Sequence, residues 1–189
     1  MNIVGLLLAA GSASRFGADK LRHPLLHGVP IAVQALRNLA TQVSDVVAVV
    51  KPGDAGLFKG EKCKIAVCDR AKEGMGASLA CGAREAGKRD GYLVALADMP
   101  YIRGTSIAAV REALEGGAAL VAPYFRTRRG HPVGIAGRFY EQLLTLSGDE
   151  GAKSILAAHA PELVKIPIGD PGVIRDIDTP ADLLPPIRT

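Results

Sequence analysis

The stretch Leu6–Leu21, LLLAAGSASRFGADKL, decides how the rest of the 189-residue chain is read. It continues an apolar run that starts at Ile3, breaks at Gly11, and then spends a dozen residues on small side chains and two separated cations, Arg15 and Lys20. Apolar runs of this length with few polar interruptions are buried strands of a parallel sheet. Small residues at Ala9, Ala10, Gly11 and Ser12 let the main chain approach a ligand closely, and successive N–H groups in such a turn form a concavity for anions. A forked guanidinium and a point-like ammonium then suit several phosphates in a row. The same stretch also reads as an ordinary surface loop with two solvated cations. It is neither the P-loop pattern GxxxxGK[ST] nor GxGxxG.

Outward from this stretch, strand-like and helical segments alternate. Strands are expected at Ile3–Leu8, Val46–Val50, Lys64–Val67, Tyr92–Ala97, Ala118–Ala122, His131–Ala136 (with an antiparallel direction as one alternative) and Leu163–Ile168. Helices are expected from Pro30, as a first-turn proline, to Val43, then at Met75–Gly87, Thr105–Leu114, Arg138–Leu146 and Glu150–His159. Tyr124–Gly130 reads as a cationic loop. The alternation predicts an α/β fold, a Rossmann-like three-layer domain with a mostly parallel sheet, spanning residues 1–189 as one domain.

Composition narrows the function. The net charge of +4 is spread out rather than blocked, and with only four Tyr, four Phe and no Trp the chain lacks the aromatic-studded basic surface of a nucleic-acid binder. Three cysteines without a CxxC pair, and four histidines without metal-ligand spacing, argue against zinc and for small buried thiols. The apolar opening is too short to span a bilayer and lacks a basic leader, so the expectation is a cytoplasmic protein without a membrane partner.

In a doubly wound sheet, ligands bind beyond the carboxyl ends of the strands. Asp98 ends the apolar run Tyr92–Ala97, where an unpaired carboxylate is costly if buried but well placed to hold Mg2+. In Asp176-Ile177-Asp178-Thr179-Pro180, alternation puts both aspartates on one face, able to supply a second carboxylate; Asp178 or Thr179 before Pro180 is equally a helix cap. Together with the opening loop these residues describe a site for a nucleoside triphosphate and its Mg2+.

At this point the chain resembles a known family. Leu8–Lys20, LAAGSASRFGADK, is similar to the nucleotidyltransferase signature L-A-[AG]-G-x-[SG]-x-R-[MF]-G-x-x-K, and ADMP (97–100) and DIDTPADL (176–183) follow in the family's order. GHPVGI (130–135) and LSGDEGAKSIL (146–156) resemble the molybdenum cofactor cytidylyltransferases of the MocA/MobA-like group, which have a nucleotide-diphospho-sugar transferase-like fold. The resemblance implies that CTP lies over Leu8, Ala9, Ala10, Gly11 and Ser12 and against Glu73–Ser78, with Gly74 and Ser78 in contact. It implies that Arg15 and Lys20 hold the triphosphate and act with Asp98 in catalysis, and that Asp98 and Asp178 bind Mg2+, Asp178 being favoured over Asp176. The acceptor would be the terminal phosphate of the molybdopterin cofactor, destined for a recipient molybdoenzyme or its chaperone. LAAG, with Ala10, points to cytidine, whereas guanylyl enzymes tend to LAGG. Arg129 and His131, in Arg126–His131, are candidate contacts to the pterin side. Gly148-Asp149-Glu150 reads either as a substrate contact or as a helix stop and cap. The rival readings are a guanylyl or sugar/alcohol-phosphate transferase of the same fold, and a nucleotide-binding delivery module without catalysis.

Overall fold

The structure is a computed structural model that describes residues 1–11, 16 and 19–184. Eight strands form one sheet in the order β3-β2-β1-β4-β7-β5-β6, with β8 on the remaining edge of β5. They are β1 Ile3–Ala9, β2 Asp45–Val50, β3 Lys64–Val67, β4 Gly91–Leu96, β5 Leu120–Phe125, β6 Arg128–Arg129, β7 Val133–Ala136 and β8 Leu163–Pro167. Pairing is parallel between β1 and its neighbours β2 and β4, between β2 and β3, and between β5 and β8, while β6 and β7 run the other way.

The apolar runs form central strands because both of their faces are covered. On one face Ile3, Leu7, Ala48, Val50, Leu93 and Val121 pack under α1 (Ile31–Ala40) and α3 (Gly104–Glu115). On the other, Val4, Leu6, Val47, Val49, Tyr92 and Val94 pack under α2 (Met75–Ala86), α4 (Tyr140–Leu144) and α5 (Lys153–Ala158). Alternate residues of one strand thus enter separate cores, which is why strand sequences such as VVAVV carry no polar side. The result is the three-layer α/β architecture expected.

Several boundaries differ from the sequence reading. Pro30 is the N-cap of α1 rather than its first residue, its carbonyl accepting from Gln34 N–H at 2.9 Å. The expected loop 124–130 is largely a hairpin: Tyr124 and Phe125 belong to β5 and pair with Arg129 and Arg128. A two-residue turn, Arg126-Thr127, connects the strands, too short to leave an apolar signature. The helices expected at Arg138–Leu146 and Glu150–His159 shrink to α4 and α5, and the latter starts from Ala152. Asp149 therefore caps no helix. Cys68 and Cys81 are joined as a disulfide between the end of β3 and α2, with Cα atoms 5.9 Å apart. That corrects the expectation of separate thiols: thirteen residues apart in sequence, the two become neighbours only when α2 crosses back over the sheet.

Candidate functional site

Every parallel strand ends at the same lip of the sheet, and the polar residues that follow the apolar runs collect there. Lys20 lies in the short 3-10 turn Lys20–Arg22 and is buried, at 8% exposure. Its Nζ donates to Asp98 Oδ2 at 3.0 Å and to Asp178 Oδ1 at 3.2 Å. Burial disfavours the ammonium, but attraction and hydrogen bonds from Asp98 and Asp178 outweigh it and raise the Lys20 pKa above its ordinary value. The lysine is therefore a fixed positive charge.

Asp176 completes the cluster. One carboxylate oxygen from each of Asp98, Asp176 and Asp178 lies within 4.8 Å of the others. Burial, and the like charges of Asp178 and Asp98, raise the Asp176 pKa. The segment is pinned to β4 by Ile177 N–H donating to the Asp98 carbonyl at 2.9 Å, with the Ile177 side chain fully buried. Alternation then turns Asp176 and Asp178 to the same side. The capping expectation holds at the same time: Thr179 caps the turn Pro180–Leu183, its N–H and hydroxyl donating to the Asp182 carboxylate at 2.8 and 2.7 Å. Three carboxylates against one ammonium leave a surplus of negative charge and an all-oxygen donor set, which fits a hard divalent cation better than zinc.

From this cluster a cleft of about 840 Å³ runs along the lip. It is lined by Leu8, Ala9, Ala10 and Gly11 from the end of β1, by Lys20 and Asp98, and by Gly74 and Ser78 around the start of α2. These expected residues do meet in one pocket. Ser78 uses its hydroxyl within the helix, donating to the Gly74 carbonyl at 3.2 Å. Ser12 and Arg15 lie outside the described residues.

The acceptor candidates sit on the other side of the cluster. Arg129 is exposed on the β5–β6 hairpin. His131 begins the approach to β7, with Nδ1 3.4 Å from the Val94 carbonyl, and desolvation holds its pKa below the ordinary value. Because β7 runs antiparallel to β4, the residues before it, rather than after it, reach the lip beside Asp98.

The cleft also holds Lys51 and Pro52 after β2, Asp69 after β3 and Lys72, which carry no expectation from the sequence, and Asp149, for which a substrate contact was one of two expectations. Lys51 and Asp69 obey the rule that singled out Asp98, a polar residue ending an apolar strand.

Comparison with known proteins agrees with this geometry. Residues 5–163 match the model of the MobA-like NTP transferase domain. The purine catabolism protein PucB of Bacillus subtilis is 28% identical, the match covering 95% of this chain and 93% of PucB. The nicotine blue oxidoreductase of Paenarthrobacter nicotinovorans is 29% identical, covering 94% of this chain and 92% of that protein. Rv0371c of Mycobacterium tuberculosis superposes with a TM-score of 0.81 at 21% identity, over 96% of this chain and 94% of that one. A second structure of that protein, solved as a complex with manganese, superposes at 0.74 with 19% identity, over 96% and 95% of the two chains. With the family match spanning most of the sequence, the chain belongs to the MobA-like NTP transferases and is a nucleotidyltransferase.

Proposed function

We propose that this enzyme transfers CMP from CTP to the terminal phosphate of the molybdopterin–molybdenum cofactor, with Mg2+, releasing pyrophosphate. The observation that carries the reading is Lys20 held between Asp98 and Asp178, with Asp176 beside them, at a cleft lined by the small residues Ala9, Ala10 and Gly11. Support for the cofactor acceptor and for cytidine comes from the motifs GHPVGI and LSGDEGAKSIL and from LAAG with Ala10.

The strand order supports a separate side for each substrate. From β4 the lip passes β1 and β2 to β3, three strand spacings or roughly 14 Å, enough for a nucleotide laid along it. The triphosphate would lie over Ala9–Gly11, gripped by Lys20 and by Arg15. Base and ribose would extend toward Lys51, Pro52 and Met75. The acceptor would approach from the β5–β7 side, where Arg128 and Arg129 supply positive charge and His131, held neutral, supplies shape and a hydrogen bond. Asp98, Asp178 and Asp176 would hold Mg2+, which when bound neutralises charge on the phosphate oxygens. An oxygen of the acceptor phosphate forms the new bond to the α-phosphorus, and the α–β bridging bond breaks with its electron pair leaving on pyrophosphate. Such a reaction calls for alignment and charge neutralisation more than for a strong base. The protein's part is to hold one anion on each side of a cationic seam.

The test is pyrophosphate release with each of the four common NTPs and Mg2+, with and without molybdenum-loaded pterin cofactor. CTP together with the cofactor should give turnover. Turnover with GTP alone would overturn the cytidylyl reading, and binding of nucleotide without turnover under any condition would favour the delivery module. Cytoplasmic location remains part of the proposal; no helix among the described residues is long and apolar enough to cross a membrane.

A further inference from the structure

Two carboxylates in the cleft, Asp69 and Asp149, have no partner among the described residues, and Asp149 is the one seated by a close main-chain approach. Asp149 makes no hydrogen bond or ion pair there and lies outside the cluster of Asp98, Asp176 and Asp178. Its position is nevertheless built. Gly76 N–H donates to the Gly148 carbonyl at 2.7 Å, seating the segment on the first turn of α2. Gly74 has φ of +120°, and a side chain there would fall on the Asp149 carboxylate and on Gly148; one at Gly76 would fall on the Ser147 carbonyl. The glycines at the start of α2 thus admit the main chain of residues 147–149. The backbone fixes Asp149 while leaving its carboxylate to the cleft, and the helix-cap explanation is gone because the N-cap of α5 is Ala152.

Its neighbours define what it faces. Met75 is 40% exposed, an unusual position for a large apolar side chain, and a side chain at Gly151 would touch its thioether. Pro52, Ala71 and Met75 line the same cleft and offer flat apolar surface to a planar ring. A free carboxylate repels phosphates and accepts hydrogen bonds, so the part of a nucleotide that belongs beside it is uncharged and carries N–H groups.

We propose that Asp149 reads the nucleobase by accepting a hydrogen bond from its exocyclic amino group, and so sets which triphosphate the enzyme uses. The inference rests on the nucleotidyltransferase reading above. A base bearing a carbonyl at that edge would set two acceptors against each other, leaving the carboxylate desolvated and unpaired.

Calorimetry on the whole chain with Mg2+ tests this without an acceptor, using pairs that differ by an amino group: CTP against UTP, and GTP against ITP. For whichever pair binds more tightly, the amino-bearing member should bind about 10-fold or more tighter. Asp149→Asn, whose amide presents either a donor or an acceptor, should bring that ratio close to one while leaving the weaker member's affinity intact or improved. A wild-type ratio near one overturns the proposal whatever the variant does. An unchanged ratio in Asp149→Asn, or an equal loss for both members as a ribose contact would give, also overturns it. If no triphosphate binds the wild type at all, the proposed function falls first and this inference with it.

Discussion

A carboxylate at the end of a fully apolar strand is costly unless something gives it a charge to face. For Asp98 that charge is Lys20, seventy-eight residues earlier in sequence. Asp98→Asn keeps the shape and most of the hydrogen bonding but removes the negative charge, so the variant should fold and lose turnover by about 100-fold or more, the size of one preorganised electrostatic contact at ~3 kcal/mol. Near-normal Mg2+-dependent pyrophosphate release would remove Asp98 from the mechanism. This residue was legible in the sequence because its cost was legible. Asp176 and Asp178 were legible through alternation, although choosing between them was not, since the structure brings both to Asp98. Asp149 was legible only as one of two alternatives, a substrate contact or a helix cap. Its neighbours Gly74 and Gly76 lie more than seventy positions away in sequence, and the local pattern Gly-Asp imitates a helix stop and cap.

Elements are held in place here by buried polar contacts that the periodicity of apolar residues does not register. Asp170 is 3% exposed and accepts from Arg103 N–H at 2.9 Å, Ser106 Oγ at 2.8 Å and Gly172 N–H at 3.0 Å. It ties the start of α3 to the turn that leads into Asp176–Asp178. Asp170→Ala strands two backbone donors and a hydroxyl, and should lower the unfolding free energy by about 3 kcal/mol in a denaturant titration. Gly74→Ala would put a side chain at positive φ and against Gly148 and Asp149, with an expected loss of about 1–3 kcal/mol in stability. Nucleotide affinity should fall with it, because residues 147–149 would have to lift from α2. Stability unchanged in Gly74→Ala would mean that the close approach at this turn is not required. Strands and long helices could be read from their runs of apolar residues; α4, α5 and β6 could not, being short elements whose ends are set by tertiary contacts such as these.

At the scale of the whole molecule, the sheet must hold its two cores together across β4, and Tyr92 is the largest fully buried side chain there. Its hydroxyl donates to the Gly87 carbonyl at 2.8 Å and accepts from Arg89 N–H at 3.1 Å. Burial pushes its pKa from 10.0 up to about 12, so the folded state favours the neutral phenol. The associated stability is complete below pH 10 and is lost as pH rises from 10 toward 12, about 3 kcal/mol in all. Phenolate absorbance should show one tyrosine titrating last, close to global unfolding, and Tyr92→Phe should lose stability at neutral pH but flatten the alkaline decline. An early titration of all four tyrosines would refute this. The layer order and the parallel core of the sheet were readable from the alternation of segments. The reversed β7, inserted between β4 and β5, was readable only as a possibility, because strand direction is decided by connections and not by composition.

The contact between Lys20 and its two aspartates has a consequence for the order of arrival at the site. The ammonium lies between the same oxygens that a dication would have to reach, 3.0 and 3.2 Å from them. An ion entering alone must displace a charge that has nowhere equally good to go; an ion entering with a triphosphate brings the lysine a new anionic partner. Metal and nucleotide should therefore be taken up as a pair. Titrating Mn2+ into the protein should show weak uptake alone and much tighter uptake once CTP is present. In Lys20→Met the gap should narrow from both sides, since the lone ion then meets no competitor and the nucleotide loses its grip. Equal Mn2+ affinity with and without CTP in the wild type would show that the lysine does not guard the seat.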